Sequence, residues 1–125
     1  MIKTIGRTVN QEIITDFPLE YIKTSELEWY WVDIGQPTKA EEQLLSSFFH
    51  FHPLAIEDCL QMLQRPKLDH YGDYEFLVLH AFNEEEMEAE ELNLFIGKNF
   101  VVIGKNFAFF FCFGWFEWGF QHDES

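Results

Sequence analysis

From Pro53 to Leu79 the sequence sets out a helix, a stop and a strand in immediate succession, and that order constrains the fold more than any other stretch. The run His52-Pro53-Leu54-Ala55-Ile56-Glu57-Asp58-Cys59-Leu60 reads as a helix opened by Pro53, whose missing amide proton costs nothing at the first helical position. The acids Glu57 and Asp58 are expected in its opening turn. Ile56, Cys59, Leu60 and Leu63 form its expected buried side. Pro66 biases Arg65 out of helical geometry and closes the element. Phe76 to Phe82 is then almost uninterrupted in apolar character, the pattern of a strand covered on both faces by helical layers.

The flanking segments fit a mixed β-sheet. Ile2 to Val9 and Glu12 to Phe17 read as two strands joined around Asn10-Gln11, and Trp29 to Ile34 as a third, ended by Gly35 and Pro37. Thr38-Lys39-Ala40-Glu41 has capping-box spacing, with the Thr38 hydroxyl placed to accept from the Glu41 amide while Glu41 reaches back. Ala40, Leu44, Leu45, Phe48 and Phe49 give the following helix one apolar face. Leu92 to Ile96 and Phe100 to Ile103 are further strands, with Gly97-Lys98-Asn99 as their turn. The expected class is therefore α/β or α+β, a mixed sheet layered with helices. Two stretches depart from this order. Glu84 to Glu91 holds six acids in eight residues and is expected to be a solvated loop or a strained hairpin end. Phe107 to Phe120 holds nine aromatic residues in fourteen, a surface for association if exposed. The expected division is one domain over residues 1–106 and an atypical aromatic tail over 107–125.

Charge excludes some functions. There are 22 acidic residues against 8 basic ones, a formal net charge of -14, so no nucleic acid is expected as a partner because phosphate contacts need a basic patch. An anionic membrane surface is disfavoured for the same reason. Surplus carboxylates suit a divalent cation, a basic partner, or solubility alone. Two cysteines, Cys59 and Cys112, are too few for a disulfide framework, and a reducing cytoplasmic setting is the natural reading. The longest apolar run, Phe107 to Phe116, is about half the ~20 residues that a helical span requires, so the chain is expected to be soluble or peripheral.

Glu57 and Asp58 are the candidate metal ligands. One reading is helix-dipole complementarity, in which acids in the first turn contribute about 0.3–1 kcal/mol. The other is a hard-cation site, since magnesium takes oxygen donors, commonly one or two carboxylates with part of its water shell retained. Neighbouring helical residues point about 100° apart. Glu57 would meet solvent, and Asp58 would lie nearer the packed margin and reach an adjacent element. His50 and His52 form an H-x-H pair that invites a zinc-hydrolase reading. Zinc needs three or four converging ligands, and His70 and His80 would serve only if the fold brought them close. His80 is expected to be a core histidine. Asp69, Asp73 and Glu75 could supply paired carboxylates, but their spacing is that of a turn. No nucleophile elbow, glycine-rich phosphate loop or CxxC pair occurs, and no enzyme is expected.

The His52 to Asp58 run, the following Gln64-Arg65-Pro66-Lys67 and Phe76-Leu77-Val78-Leu79 together resemble the cytoplasmic domain of CorA-type magnesium and cobalt transport proteins. Trp31-Val32-Asp33-Ile34 upstream, and Leu92-Asn93-Leu94-Phe95-Ile96 and Asn99-Phe100-Val101-Val102 downstream, extend the resemblance over residues 29 to 103. It implies an α/β/α sandwich on the cytoplasmic side of the cell membrane, in a homopentamer. It also implies that an aspartate at the position of Asp58 binds a regulatory Mg2+ facing an acid on a neighbour's long stalk helix. The stalk, the membrane helices and the pore-mouth Gly-Met-Asn signature do not occur in this sequence. A truncated ion-sensing domain with weak Mg2+ affinity is therefore expected. The alternatives are a zinc-transporting relative of the same superfamily, and an acidic interaction module that meets a basic partner through Glu84 to Glu91 and self-associates through its tail.

Overall fold

The chain opens with a hairpin in which strand β1 (Ile2–Thr8) pairs antiparallel with the short β2 (Ile13–Thr15). The structure, a computed structural model, describes residues 1–60, 65–83 and 87–105. After a 3-10 turn over Leu19–Thr24 comes β3 (Leu27–Ile34), antiparallel to β1 on its other side. Two helices, α1 (Lys39–Ser47) and α2 (Pro53–Leu60), then carry the chain across the sheet to its far edge. There β4 (Lys67–His70) starts a meander through β5 (Tyr74–Asn83), β6 (Glu88–Gly97) and β7 (Phe100–Lys105). The resulting seven-stranded sheet has the order β2-β1-β3-β7-β6-β5-β4. β3 and β7 pair in parallel, whereas the neighbours on either side of them are antiparallel. A parallel pair needs a long crossover. The helical segment begins that crossover and lies over one face of the sheet.

Local chemistry fixes both helix starts. Thr38 and Glu41 form the expected capping box: the Thr38 hydroxyl accepts from the Glu41 amide at 3.1 Å and Glu41 Oε1 accepts from the Thr38 amide at 2.9 Å. The same Glu41 oxygen accepts from the Met1 ammonium at 2.9 Å, tying the first strand to α1. At α2 the helix does start at Pro53, and His52 caps it. The His52 carbonyl accepts from the Ile56 amide, and its Nδ1 accepts from the Leu54 amide, each at 3.0 Å.

The core lies between the helices and one sheet face. Val32, Val102, Phe95 and Phe76 follow one another across β3, β7, β6 and β5 at paired registers, and each is fully buried. Leu45 of α1, and Ala55 and Cys59 of α2, close over them. Phe51, in the link between the helices, lies with its ring 4.0 Å from that of Phe95, the planes inclined by 6°.

Several expectations need correcting. Among the described residues, the helices that meet the strand at Phe76 to Phe82, α1, α2 and the 3-10 turn, all pack on its Phe76 and Val78 side, while Leu77 is half-buried and Leu79 exposed. An unbroken apolar run fixes strand character but not how many layers cover it. On α2 the buried residues are Ala55 and Cys59, with Ile56 half-buried and Leu60 exposed, since the helix packs its Ala55–Cys59 side on the sheet. Leu63 lies outside the described residues, and Arg65, before Pro66, is out of helical geometry as expected. On α1 only Leu45 is buried and Ala40 is exposed. For the acidic segment the hairpin-end reading fits rather than the loop: β6 begins at Glu88, so backbone pairing with β5 takes up its second half. The aromatic tail, residues 107–125, lies outside the described residues.

Candidate cation site on helix α2

Glu57 and Asp58 do not occupy the opening turn of α2. They lie four and five positions beyond Pro53, and the first turn holds no acid. Helix-dipole stabilisation falls off within that turn. A dipole role therefore does not account for this pair. Glu57 is exposed, and the Asp58 side chain is 23% exposed, turned toward the sheet edge.

What Asp58 meets there is Lys67, the first residue of β4. The Lys67 ammonium donates to Asp58 Oδ2. It also lies 3.1 Å from Asp69 Oδ2, two residues along the same strand. Side chains at i and i+2 of a strand share a face. Lys67 and Asp69 pair in register with Val78 and Phe76, which places both on the helix-bearing side beneath α2. Hydrogen bonding to Asp58 pushes the Lys67 pKa up against opposing burial, with Asp69 adding to the effect. The Tyr71 phenol beside the group is raised too, by burial first and then by the Asp69 and Asp58 charges. The sequence does not single out Lys67 and Asp69 as partners of Asp58; the Lys-x-Asp alternation is the signal it offers.

The histidines do not converge. Among the described residues no three His, Cys, Asp or Glu side chains gather as metal ligands. His52 is committed to capping α2, its ring 5.1 Å from that of Tyr71, and its amide donates to the Tyr74 hydroxyl at 2.7 Å. His50 is exposed, with a positive φ of 56°. His70 pairs with Glu75 at 3.3 Å on the other sheet face. His80, expected in the core, has a side chain that is 39% exposed and lies 3.8 Å from Glu91. Asp69 and Glu75 project from opposite faces and form no carboxylate pair.

Asp58 suits magnesium in one respect. It is a hard oxygen donor that solvent reaches, and Mg2+ is commonly held by one or two carboxylates while keeping several waters. At the α2–β4 edge the described residues bring Asp58 and Asp69 to the same Lys67 ammonium, with Glu57 next to Asp58 on the helix.

The comparisons with known proteins agree with this fold. The model of the family described as CorA-like Mg2+ transporter protein matches residues 26–106. The putative metal ion transporter YfjQ of Bacillus subtilis is 49% identical over 102 residues, 82% of this chain and 32% of that protein. The cobalt/magnesium transport protein CorA of Thermotoga maritima is 40% identical over 78 residues, 58% of this chain and 22% of that protein. The chain thus spans about a third or less of these relatives. The soluble domain of CorA from Methanocaldococcus jannaschii superposes with a TM-score of 0.61 at 18% identity, covering 82% of this chain and 39% of that one. Full-length CmaX superposes with a TM-score of 0.66 at 12% identity, covering 85% and 34%. Among the described residues no helix is long and apolar enough to cross a membrane.

Proposed function

The chain belongs to the family of CorA-like Mg2+ transporter proteins, and from that premise we propose that it is an ion-sensing domain on the cytoplasmic side of a magnesium transporter. Ion passage belongs to a membrane part, and this domain reports the cytosolic ion to it. The sensing group is Asp58, with Glu57 as an outer neighbour. A carboxylate from an adjacent subunit of a homopentamer completes the site.

The observation that carries this reading is the position of Asp58. Its carboxylate is partly exposed at the α2–β4 edge rather than sealed in the core. Two carboxylates about 4 Å apart repel by roughly 1–4 kcal/mol, depending on the effective dielectric, and a divalent ion between them reverses the sign. Magnesium would then hold neighbouring subunits together, and its loss would loosen them. Oxygen donors favour magnesium over zinc, which prefers nitrogen and sulfur ligands.

Calorimetric titration of Mg2+ into the chain tests the assignment. Binding in the millimolar range that disappears in Asp58→Ala is expected, since only half of the ligand set is present. Micromolar binding that survives Asp58→Ala would overturn both the site and the mechanism.

A further inference from the structure

Asp58 already holds a cation. The Lys67 ammonium donates to Asp58 Oδ2 and approaches Asp69 Oδ2 at 3.1 Å, so two carboxylates converge on one positive charge. The same ammonium lies 5.9 Å from the centroid of the Phe76 ring. The backbone of Lys67 is fixed by register pairing with Val78, so a sheet edge, not a mobile loop, presents the charge. Its head is not sealed in. The Lys67 side chain is 32% exposed, leaving room to swing into water without crossing the core.

These features give the ammonium two properties at once. It neutralises Asp58 when no metal is present, and it can be displaced. With Lys67 seated, the local charge of Asp58, Asp69 and Lys67 is one negative unit. With the ammonium gone it is two, matched to a divalent ion.

We propose that Lys67 is the resident counter-ion of Asp58, which a divalent cation must displace, and that it sets the magnesium concentration at which the site fills. This rests on the assignment of Asp58 as a magnesium ligand and adds a residue that tunes it. A monovalent cation brings no more charge than the ammonium it would replace. A divalent one does, and the lysine thereby favours divalent ions as well as weakening their binding.

The test is calorimetric titration of MgCl2, at fixed ionic strength, into the whole chain and its variants. Lys67→Met removes the charge and keeps the aliphatic stem over Phe76. It is expected to bind Mg2+ at least about tenfold more tightly than the parent chain, equivalent to about 1.4 kcal/mol. Lys67→Arg keeps the charge and should stay near the parent value. In Lys67→Met/Asp58→Asn the gain should vanish. Lys67→Gln, a polar replacement whose folding is checked by circular dichroism, repeats the measurement if the Met variant fails to fold. Unchanged Mg2+ affinity in the charge-removing variants, with Asp58→Asn still weakening the parent, overturns the lysine's role and leaves the Asp58 assignment standing. Affinity indifferent to Asp58→Asn in every background overturns both.

Discussion

The Cys59 Sγ lies 2.8 Å from the position that a β-carbon on Gly104 would occupy. Helix α2 therefore rests on β7 more closely than any side chain at position 104 allows. Asn93 bridges the same contact, its amide donating to the Gly104 carbonyl at 3.3 Å and reaching the Cys59 carbonyl at 3.5 Å. Cys59 is fully buried and cannot move aside without disturbing the core. Gly104→Ala should destabilise the fold by about 1–3 kcal/mol, the usual cost of overpacking. Cys59→Ala makes room, so the double variant should lose less than the sum of the single ones. Urea unfolding of the set measures this, and strict additivity would show that the contact is not what limits position 104.

The Cys59 thiol should be chemically silent in the native state. Burial first, then the charges of Glu91, Glu42 and Asp58, push its pKa up to about 12. The reactive species is the thiolate, which is scarce near neutral pH at such a value. In a Cys112→Ser background, a soluble thiol reagent at about pH 8 should label Cys59 no faster than the chain unfolds, and denaturant should restore ordinary reactivity. Rapid labelling of the folded chain would place the thiol at the surface.

Glu41 gives the fold an acid-sensitive joint. Burial acts to raise its pKa, but the Thr38 backbone hydrogen bond, the Met1 ammonium and the Thr38 side chain together outweigh that and lower it. A carboxylate whose folded pKa is depressed contributes stability that is present above the unfolded value, near 4.5, and lost as pH falls through the folded one. Glu41→Gln should therefore flatten the decline of the melting temperature below about pH 5. Thr38→Ala should cost about 0.5–2 kcal/mol at neutral pH by removing the cap and should weaken the same acid response. A decline in Glu41→Gln as steep as the parent's would assign that acid limb to other carboxylates.

The contrast between Thr38–Glu41 and Asp58–Lys67 shows what a reader of the sequence can and cannot see. The first pair is three residues apart within one turn, so spacing alone determines its geometry. The second depends on β4 lying under α2, a placement decided by the whole crossover from β3 to the sheet edge. Strands β1, β3, β5 and β7 were legible because their apolar and β-branched runs have no rival reading. β4 was not, since Pro66 and the polar residues around it read equally well as a turn. The His50 and His52 pair drew attention for its chemistry, yet the residue between them carries the structural weight.

That residue is Phe51. Its ring lies 4.0 Å from that of Phe95, 4.9 Å from that of Tyr74 and 5.4 Å from that of Phe49, on the link that aims α2 at the sheet. It is 5% exposed. Phe51→Ala should cost about 3–5 kcal/mol, and Phe51→Leu less, because leucine refills part of the volume. The effect should reach the cation site as well. A link without its anchor lets α2 shift over β4, which loosens the register between Asp58 on the helix and Lys67 on the strand. In Phe51→Leu, which should still fold, the coupling energy between Asp58→Asn and Lys67→Met in a stability cycle should fall below that measured with Phe51 in place. Equal coupling in the two backgrounds would mean that α2 is held over β4 by its own contacts, Cys59 on Gly104 foremost, and that Phe51 supplies only bulk.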